Sequence, residues 1–282
     1  MEPIKTEKLS VPGATLYYEV RGSGPVLLLI CGGIYDAEGF TGLADALATE
    51  RTVVTYDRRG NSRSVLTTPP SMLSVEEQAD DAYRLLGAVE VTEDEPAEVF
   101  GNSSGAVIAL ELATQNPAMV RTVVAHEPPL FELLPDFDHW RTVLAEVEEV
   151  YREGGAGPAM EVFGAAMGMH GDGDGGTPPS PEFAARMQAN VEVLVAREIP
   201  PIGAYVPDLD RLRSGAVRVV PAVGAASTGE PPNRAGLELA ARLETTVAVF
   251  PGGHGGFGDA VPFAAKLHEV LAGEHPVTRR TP

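Results

Sequence analysis

Ser103 stands at the centre of Gly101-Asn102-Ser103-Ser104-Gly105, a G-x-S-x-G run that follows the apolar stretch Val99-Phe100 and leads into Ala106-Val107-Ile108. That order of residue types predicts a strand, a sharp turn and the first turn of a helix. A serine on such a bend lifts its hydroxyl clear of a sheet, and the flanking glycines let neighbouring backbone approach without Cβ clashes. The helix start adds unpaired N–H groups that can face a negatively charged intermediate. A hydroxyl becomes a useful nucleophile only when a base takes its proton. Of six histidines, His254 is the candidate, because Pro251-Gly252-Gly253-His254-Gly255-Gly256-Phe257 directly follows the last predicted strand. Backbone N–H groups must then hold the developing oxyanion. Ser104 supplies one, and the loop Cys31-Gly32-Gly33-Ile34 is suited to supply the second from Gly33 or Ile34.

These groups meet only if the chain brings their loops to one place. Continuous apolar runs of strand length at residues 26–30 (VLLLI), 52–56 (TVVTY), 97–100 and 121–125 (RTVVA) predict strands buried on both faces. A further strand is expected over 14–20 (ATLYYEV). Helical stretches over 40–49, 74–86 and 104–114 separate them, the second opening with a Ser74/Glu77 capping box. Strand and helix alternation at this spacing implies a mostly parallel sheet covered on both faces, an α/β fold. Ligands bind such sheets at the carboxyl ends of the strands. The alternation breaks over 130–213, where helical periodicity (140–152, 158–169 and 181–197) replaces it around a glycine-rich loop over 170–179. It resumes with strands at 217–223 and 246–250 and helices at 233–243 and 261–272, followed by a polar tail expected to fray. The expected organisation is a core of residues 1–129 and 214–282 interrupted by a helical insertion over 130–213.

Bulk properties narrow the partners. A formal net charge of −19 over 282 residues argues against binding to nucleic acid and to an anionic membrane surface. The single cysteine rules out an internal disulfide, and no run approaches membrane-spanning length. The N-terminal residues lack the apolar segment of a signal peptide, so the expectation is a cytoplasmic protein, monomer or homodimer, acting on a small molecule. Asp172 and Asp174 imitate the start of a calcium loop, but Gly176 stands where the third ligand belongs. No Cys/His cluster suggests zinc. Neither a metal nor an organic cofactor is implied. Gly253 to Gly258 also reads G-x-G-x-x-G, but the βαβ unit that a dinucleotide site requires does not follow it. Cys31 and His126 are read as structural, and Arg58 and Arg59 as fixing their own loop.

The GNSSG turn, the CGG loop, the YDRRGNSRS loop and PGGHGGF together resemble the α/β-hydrolase fold superfamily over nearly the whole chain. The resemblance implies a Ser103–His254 pair, an oxyanion hole at Gly33 and Ser104, and a cap over the site formed by the helical insertion between the sixth and seventh strands. Cys31 replaces a histidine common at the oxyanion loop, a tolerable change because the backbone does the work. One departure is larger. The family usually carries its triad acid just after the strand that follows the cap, where this chain has Gly224-Ala225-Ala226-Ser227-Thr228-Gly229-Glu230, and Ala226 or Ser227 fills the slot. Three solutions are open: Glu127, in the position that haloalkane dehalogenases and some other members use; Glu230 reaching back; or no acid at all. The implied activity is that of a serine esterase or lactonase with an apolar pocket built from Ile34, Phe131, Phe137, Trp140, Phe163 and Met167. A C–C lyase or cyclase using the same pair, and a ligand-binding protein on a degenerate scaffold, are the rival classes.

Overall fold

Val26–Ile30 (β3) displays in five residues how the sheet is assembled. Leu28 and Ile30 enter one apolar cluster and Leu27 and Leu29 the other, and all four are fully buried. Side chains alternate across a strand, so a continuous apolar run serves both faces of a covered sheet. The computed structural model describes residues 4–168 and 179–273. Its remaining strands are Lys5–Val11 (β1), Ala14–Arg21 (β2), Thr52–Tyr56 (β4), Val65–Leu66 (β5), Ala97–Asn102 (β6), Val120–His126 (β7), Arg218–Gly224 (β8) and Ala248–Phe250 (β9). They form one sheet in the order β1-β2-β4-β3-β6-β7-β8-β9, with β5 paired to β2. Pairing is parallel from β4 through β9 and antiparallel around β2.

Helices Thr41–Leu47 (α1), Val75–Ala88 (α2) and Ser104–Gln115 (α3) lie in the first half. Ser74 caps α2 by accepting from Glu77 N–H at 3.1 Å. Between β7 and β8 every regular element among the described residues is helical. The helices there are Phe137–Gly154 (α4), Ala156–Ala166 (α5), Pro181–Val193 (α6), Ile199–Gly203 (α7) and Leu209–Ser214 (α8). Pro231–Arg242 (α9) and Ala260–Ala272 (α10) complete the α-helices among the described residues. Because β3, β6, β7, β8 and β9 are mutually parallel, the loops that leave their carboxyl ends share one rim. Those loops carry Gly33, Ser103, Glu127, Ser227 and His254.

The α/β class and the buried strands match expectation, and three local details differ. Strand β1 was not expected, because its alternating exposed polar residues give no apolar run and only pairing with β2 makes it a strand. With β5 also present, the helical segment lies between the seventh and eighth strands rather than the sixth and seventh. The single helix expected over 181–197 divides: α6 gives way to a π-helical turn at Leu194–Glu198 and then to α7. The glycine-rich loop over 170–179 (described only at residue 179), the paired aspartates Asp172 and Asp174, and the tail beyond residue 273 lie outside the described residues.

Candidate active site

Strand β6 ends at Asn102 and α3 starts at Ser104, so Ser103 alone turns the corner, with φ 55° and ψ −126°. Such a backbone costs a residue with a side chain about 1–3 kcal/mol. Its surroundings enforce it: Ser103 N–H donates to the His126 carbonyl at 2.9 Å. A Cβ on Gly101 would collide with the Gly105 carbonyl oxygen, and one on Gly105 with that of Ile30, so both glycines of the motif are required by close approach. Glu127 is also left-handed, at φ 49°. Of the five residues other than glycine that adopt positive φ among the described residues, two are therefore the candidate nucleophile and a candidate acid.

His254 Nδ1 donates to Glu127 Oε2 at 2.8 Å. A carboxylate only accepts, so this bond puts the neutral imidazole's proton on Nδ1 and leaves the Nε2 lone pair facing away as a base. The other carboxylate oxygen, Oε1, accepts from Gly224 N–H at 2.8 Å, from Asn233 Nδ2 at 3.2 Å and from the Ser227 hydroxyl. Burial alone would push this carboxyl up, since Glu127 has no exposed surface. The hydrogen bonds from His254 and Ser227 and the neighbouring imidazoles outweigh burial and hold it down at about 2. Of the three solutions left open by the sequence, Glu127 is the carboxylate bonded to His254. Ser227, in the slot where an acid was sought, donates to Glu127 instead, and Ala226 borders the cavity. Glu230 also borders that cavity, with its side chain against Gly168.

Ser103, His254, Gly33 and Ser104 line one cavity of about 600 Å³ at the rim of the sheet. Among the described residues no hydrogen bond joins Ser103 Oγ to His254; such bonds commonly tighten only around a bound substrate. Gly33 N–H, expected at the oxyanion, instead donates to Ser104 Oγ at 3.0 Å, and among the described residues Ile34 N–H, on the same loop, is left without an acceptor. Ser104 N–H belongs to the first turn of α3 and has no intrahelical acceptor. Ile34, Phe131, Phe163 and Met167 border the cavity as expected. Phe137 and Trp140 do not: Trp140 is buried and stacks on Phe131 at 4.4 Å, while Phe137 lies under the Arg141 guanidinium. Both sit on the first turn of α4, where Trp140 belongs to the helix's buried stripe with Val143 and Val147 and Phe137 is half-buried.

Cys31 is structural as expected, buried and with its thiol pushed up to about 12 by burial. Arg59 does fix its loop, reaching Asp81 on α2 at 2.6 Å. Arg58 does not. Its partners are Glu198, beyond α6, and the Gly33 carbonyl, so its reading as a loop-fixing residue is corrected. Sequence reasoning also missed Asn233, Ser227 and Gly224 N–H as the cradle of Glu127, and Asn102 Nδ2, which donates to the His254 carbonyl at 3.0 Å. The one available signal was the run of small and polar residues in the loop after β8, which suits a loop that donates to a carboxylate.

His126 packs among Phe100, Phe250 and Phe263 with no exposed surface, and burial pushes its imidazole down to about 4. An unfolded histidine titrates near 6.5. Between those two values unfolding takes up a proton, so stability should fall as pH drops from about 6.5 to 4, by up to about 3 kcal/mol. Glu127, with its lowered value, contributes stability above the ordinary carboxylate range and loses it only as pH falls toward 2. Urea midpoints measured from pH 7 to 4 should therefore slope downward, and the slope should shrink in His126→Phe. An unchanged slope in that variant would show that the proton goes elsewhere.

Residues 25–191 match the family model described as alpha/beta hydrolase fold. An uncharacterized hydrolase, YraK, from Bacillus subtilis (strain 168) is 37% identical over 276 residues, covering 96% of this chain and 97% of that protein. Zearalenone hydrolase from Bionectria ochroleuca is 30% identical over 210 residues, 73% of this chain and 75% of that one. Among solved structures, a thermophilic esterase from Thermogutta terrifontis superposes with a TM-score of 0.72 at 20% identity, over 95% of this chain and 98% of its own.

Proposed function

We propose, from the premise that this chain belongs to the α/β-hydrolase fold family, that it is a serine hydrolase cleaving ester or lactone bonds through an acyl-enzyme. The observation that carries the proposal is the 2.8 Å bond from His254 Nδ1 to a buried Glu127, with Ser103 on the same cavity in a strained backbone. Ser103 Oγ attacks the carbonyl carbon as His254 Nε2 takes its proton. The tetrahedral oxyanion is held by the N–H groups of Ser104 and Ile34, since Gly33 N–H is engaged by Ser104 Oγ. His254 then gives the proton to the departing alkoxide, and the acyl group stays on Ser103. Water, deprotonated by the same imidazole, releases the acid and restores the hydroxyl. Glu127 keeps its charge throughout, orienting the ring and stabilising the imidazolium.

Residues 130–213 serve in this scheme as a cap, with Phe131, Phe163 and Met167 forming an apolar wall for the acyl or alcohol part. A neutral, largely apolar small molecule suits that lining better than a charged one. The similarity to zearalenone hydrolase is in keeping with hydrolysis of a small organic substrate. The Glu127–His254 bond favours catalysis over a ligand-binding role, whose basis was a histidine without a carboxylate partner. A lyase or cyclase would use the same pair for proton transfer alone.

Turnover of p-nitrophenyl esters and of simple lactones, together with labelling of Ser103 by a fluorophosphonate, tests the assignment. The expected result is ester or lactone turnover with stoichiometric labelling. Absence of both in folded protein would overturn it. Labelling without hydrolysis of any ester or lactone would favour proton-transfer chemistry on the same scaffold.

A further inference from the structure

The loop that carries Gly33 is held from outside the core sheet. Gly33 O accepts from Arg58 Nη2 at 2.5 Å, and Arg58 Nη1 lies 2.7 Å from both oxygens of Glu198. Neither Arg58 nor Glu198 has any exposed side-chain surface. Asn61 Nδ2 adds a bond to Glu198 Oε1 at 3.2 Å. The next carbonyl, Ile34 O, accepts from Asn190 Nδ2 at 2.9 Å, while Asn190 Oδ1 accepts from Ser62 N–H at 2.9 Å. Farther along the same loop, Asp36 accepts from Arg186 Nε at 2.6 Å. The Gly32 carbonyl is closed by Tyr35 N–H at 3.2 Å. Each carbonyl from Gly32 to Ile34 thus has a fixed donor, and the restraints on Gly33 and Ile34 trace back to α6 and the π-helical turn after it.

That turn explains how one segment supplies all of these groups. Arg186 and Asn190 are four apart on α6 and share a face. In an unbroken helix turning about 100° per residue, Glu198 would lie about 80° round from Asn190. The extra residue taken up by the π turn at Leu194–Glu198 returns about 100°, which brings Glu198 back to the face of Asn190. π turns of this kind recur at functional sites. Leu194 and Ile199, which bracket the segment, border the cavity, so one stretch of chain both walls the substrate and holds the loop.

We infer that Glu198, acting through Arg58 on Gly33 O, and Asn190, acting on Ile34 O, are positioning residues that hold the two peptide units flanking Ile34 so that Ile34 N–H stays aimed at the oxyanion. The inference rests on the acyl-enzyme reading above, because it assigns a role in that reaction to residues remote from the bond being cleaved. Gly33 has φ +56° and no side chain to restrict it, so local sequence alone leaves the loop free to turn its N–H away. The clamp removes that freedom before substrate arrives. Preorganisation of this kind matters most in the transition state, where the charge develops.

The experiment compares wild type with Glu198→Gln and Asn190→Leu, each kept close to native volume. Steady-state hydrolysis of a p-nitrophenyl ester and inhibition by an aryl trifluoromethyl ketone, which mimics the tetrahedral adduct, are measured with the thermal midpoint of each variant. The expected result is a kcat lower by about 10–1000-fold with KM changed less than about threefold, and ketone affinity falling in parallel with kcat/KM. Glu198→Asp should recover part of the loss by restoring the charge. Asn190→Leu leaves the buried ion pair intact, so it reads the same quantities should Glu198→Gln fail to fold. Unchanged kcat in folded variants, or a loss confined to KM or to stability, would overturn the inference while leaving the acyl-enzyme reading standing. Wild type that neither hydrolyses esters nor binds the ketone would overturn both, and that failure is seen without any variant.

Discussion

Ser103→Ala should abolish ester turnover and fluorophosphonate labelling together, with kcat falling by about a million-fold where residual activity is measurable. The size follows from the mechanism. Without the hydroxyl, no acyl-enzyme forms, and what remains is direct attack by water in a site that still binds substrate and offers backbone donors. Binding should survive: Ser103 contributes one small side chain to a cavity of about 600 Å³, and its strained backbone is imposed by Gly101, Gly105 and the bond to His126 O rather than by its own hydroxyl. A product complex or unreacted ester should therefore bind the variant with affinity close to that of wild type. Retention of more than a thousandth of wild-type kcat would mean that another group attacks the carbonyl.

Glu127→Gln should lower kcat by about ten-thousand-fold with little change in KM. An amide at this position can offer its N–H₂ to Nδ1 and so select the wrong imidazole tautomer, with Nε2 protonated and unable to act as base. The loss should also persist across the pH range. Glu127 is held ionised down to about 2, so activity lost between pH 7 and 4 comes from a group other than this carboxylate. Ala226→Asp in an otherwise natural chain should bring no gain, because His254 Nδ1 is already bonded to Glu127. In the Glu127→Gln background, the same aspartate is the informative rescue: partial recovery would show that the slot after β8 can still reach the imidazole. Were Glu127→Gln to leave the rate intact while Ala226→Asp alone raised it by orders of magnitude, the acid would be wrongly assigned.

Much of the scaffold was legible because its signals are local. A run such as VLLLI at residues 26–30 has to be buried on both faces wherever it lies, and alternation with helices of about a dozen residues leaves a parallel sheet as the simple arrangement. Strand β1 was missed for the converse reason: its residues look like exposed polar chain until β2 supplies their hydrogen bonds. The pocket was read in part. Phe131 and Phe163 face the cavity, whereas Trp140, equally apolar, is spent on the stack with Phe131 inside the core. Apolar periodicity identifies a buried stripe, and it does not distinguish a stripe facing a core from one facing a void.

By itself the sequence determined the bend at Ser103, the histidine loop after the last strand and the rim that both occupy. Those depend on glycine spacing and strand order, which are written along the chain. Only the tertiary structure decided which carboxylate meets His254, and that Arg58 turns from its own loop to Glu198, 140 residues away in sequence. The physical reason is that a buried charge is stable only where several donors converge on it. Gly224, Ser227 and Asn233 converge on Glu127 from β8, the loop after it and α9, and no local pattern records that meeting.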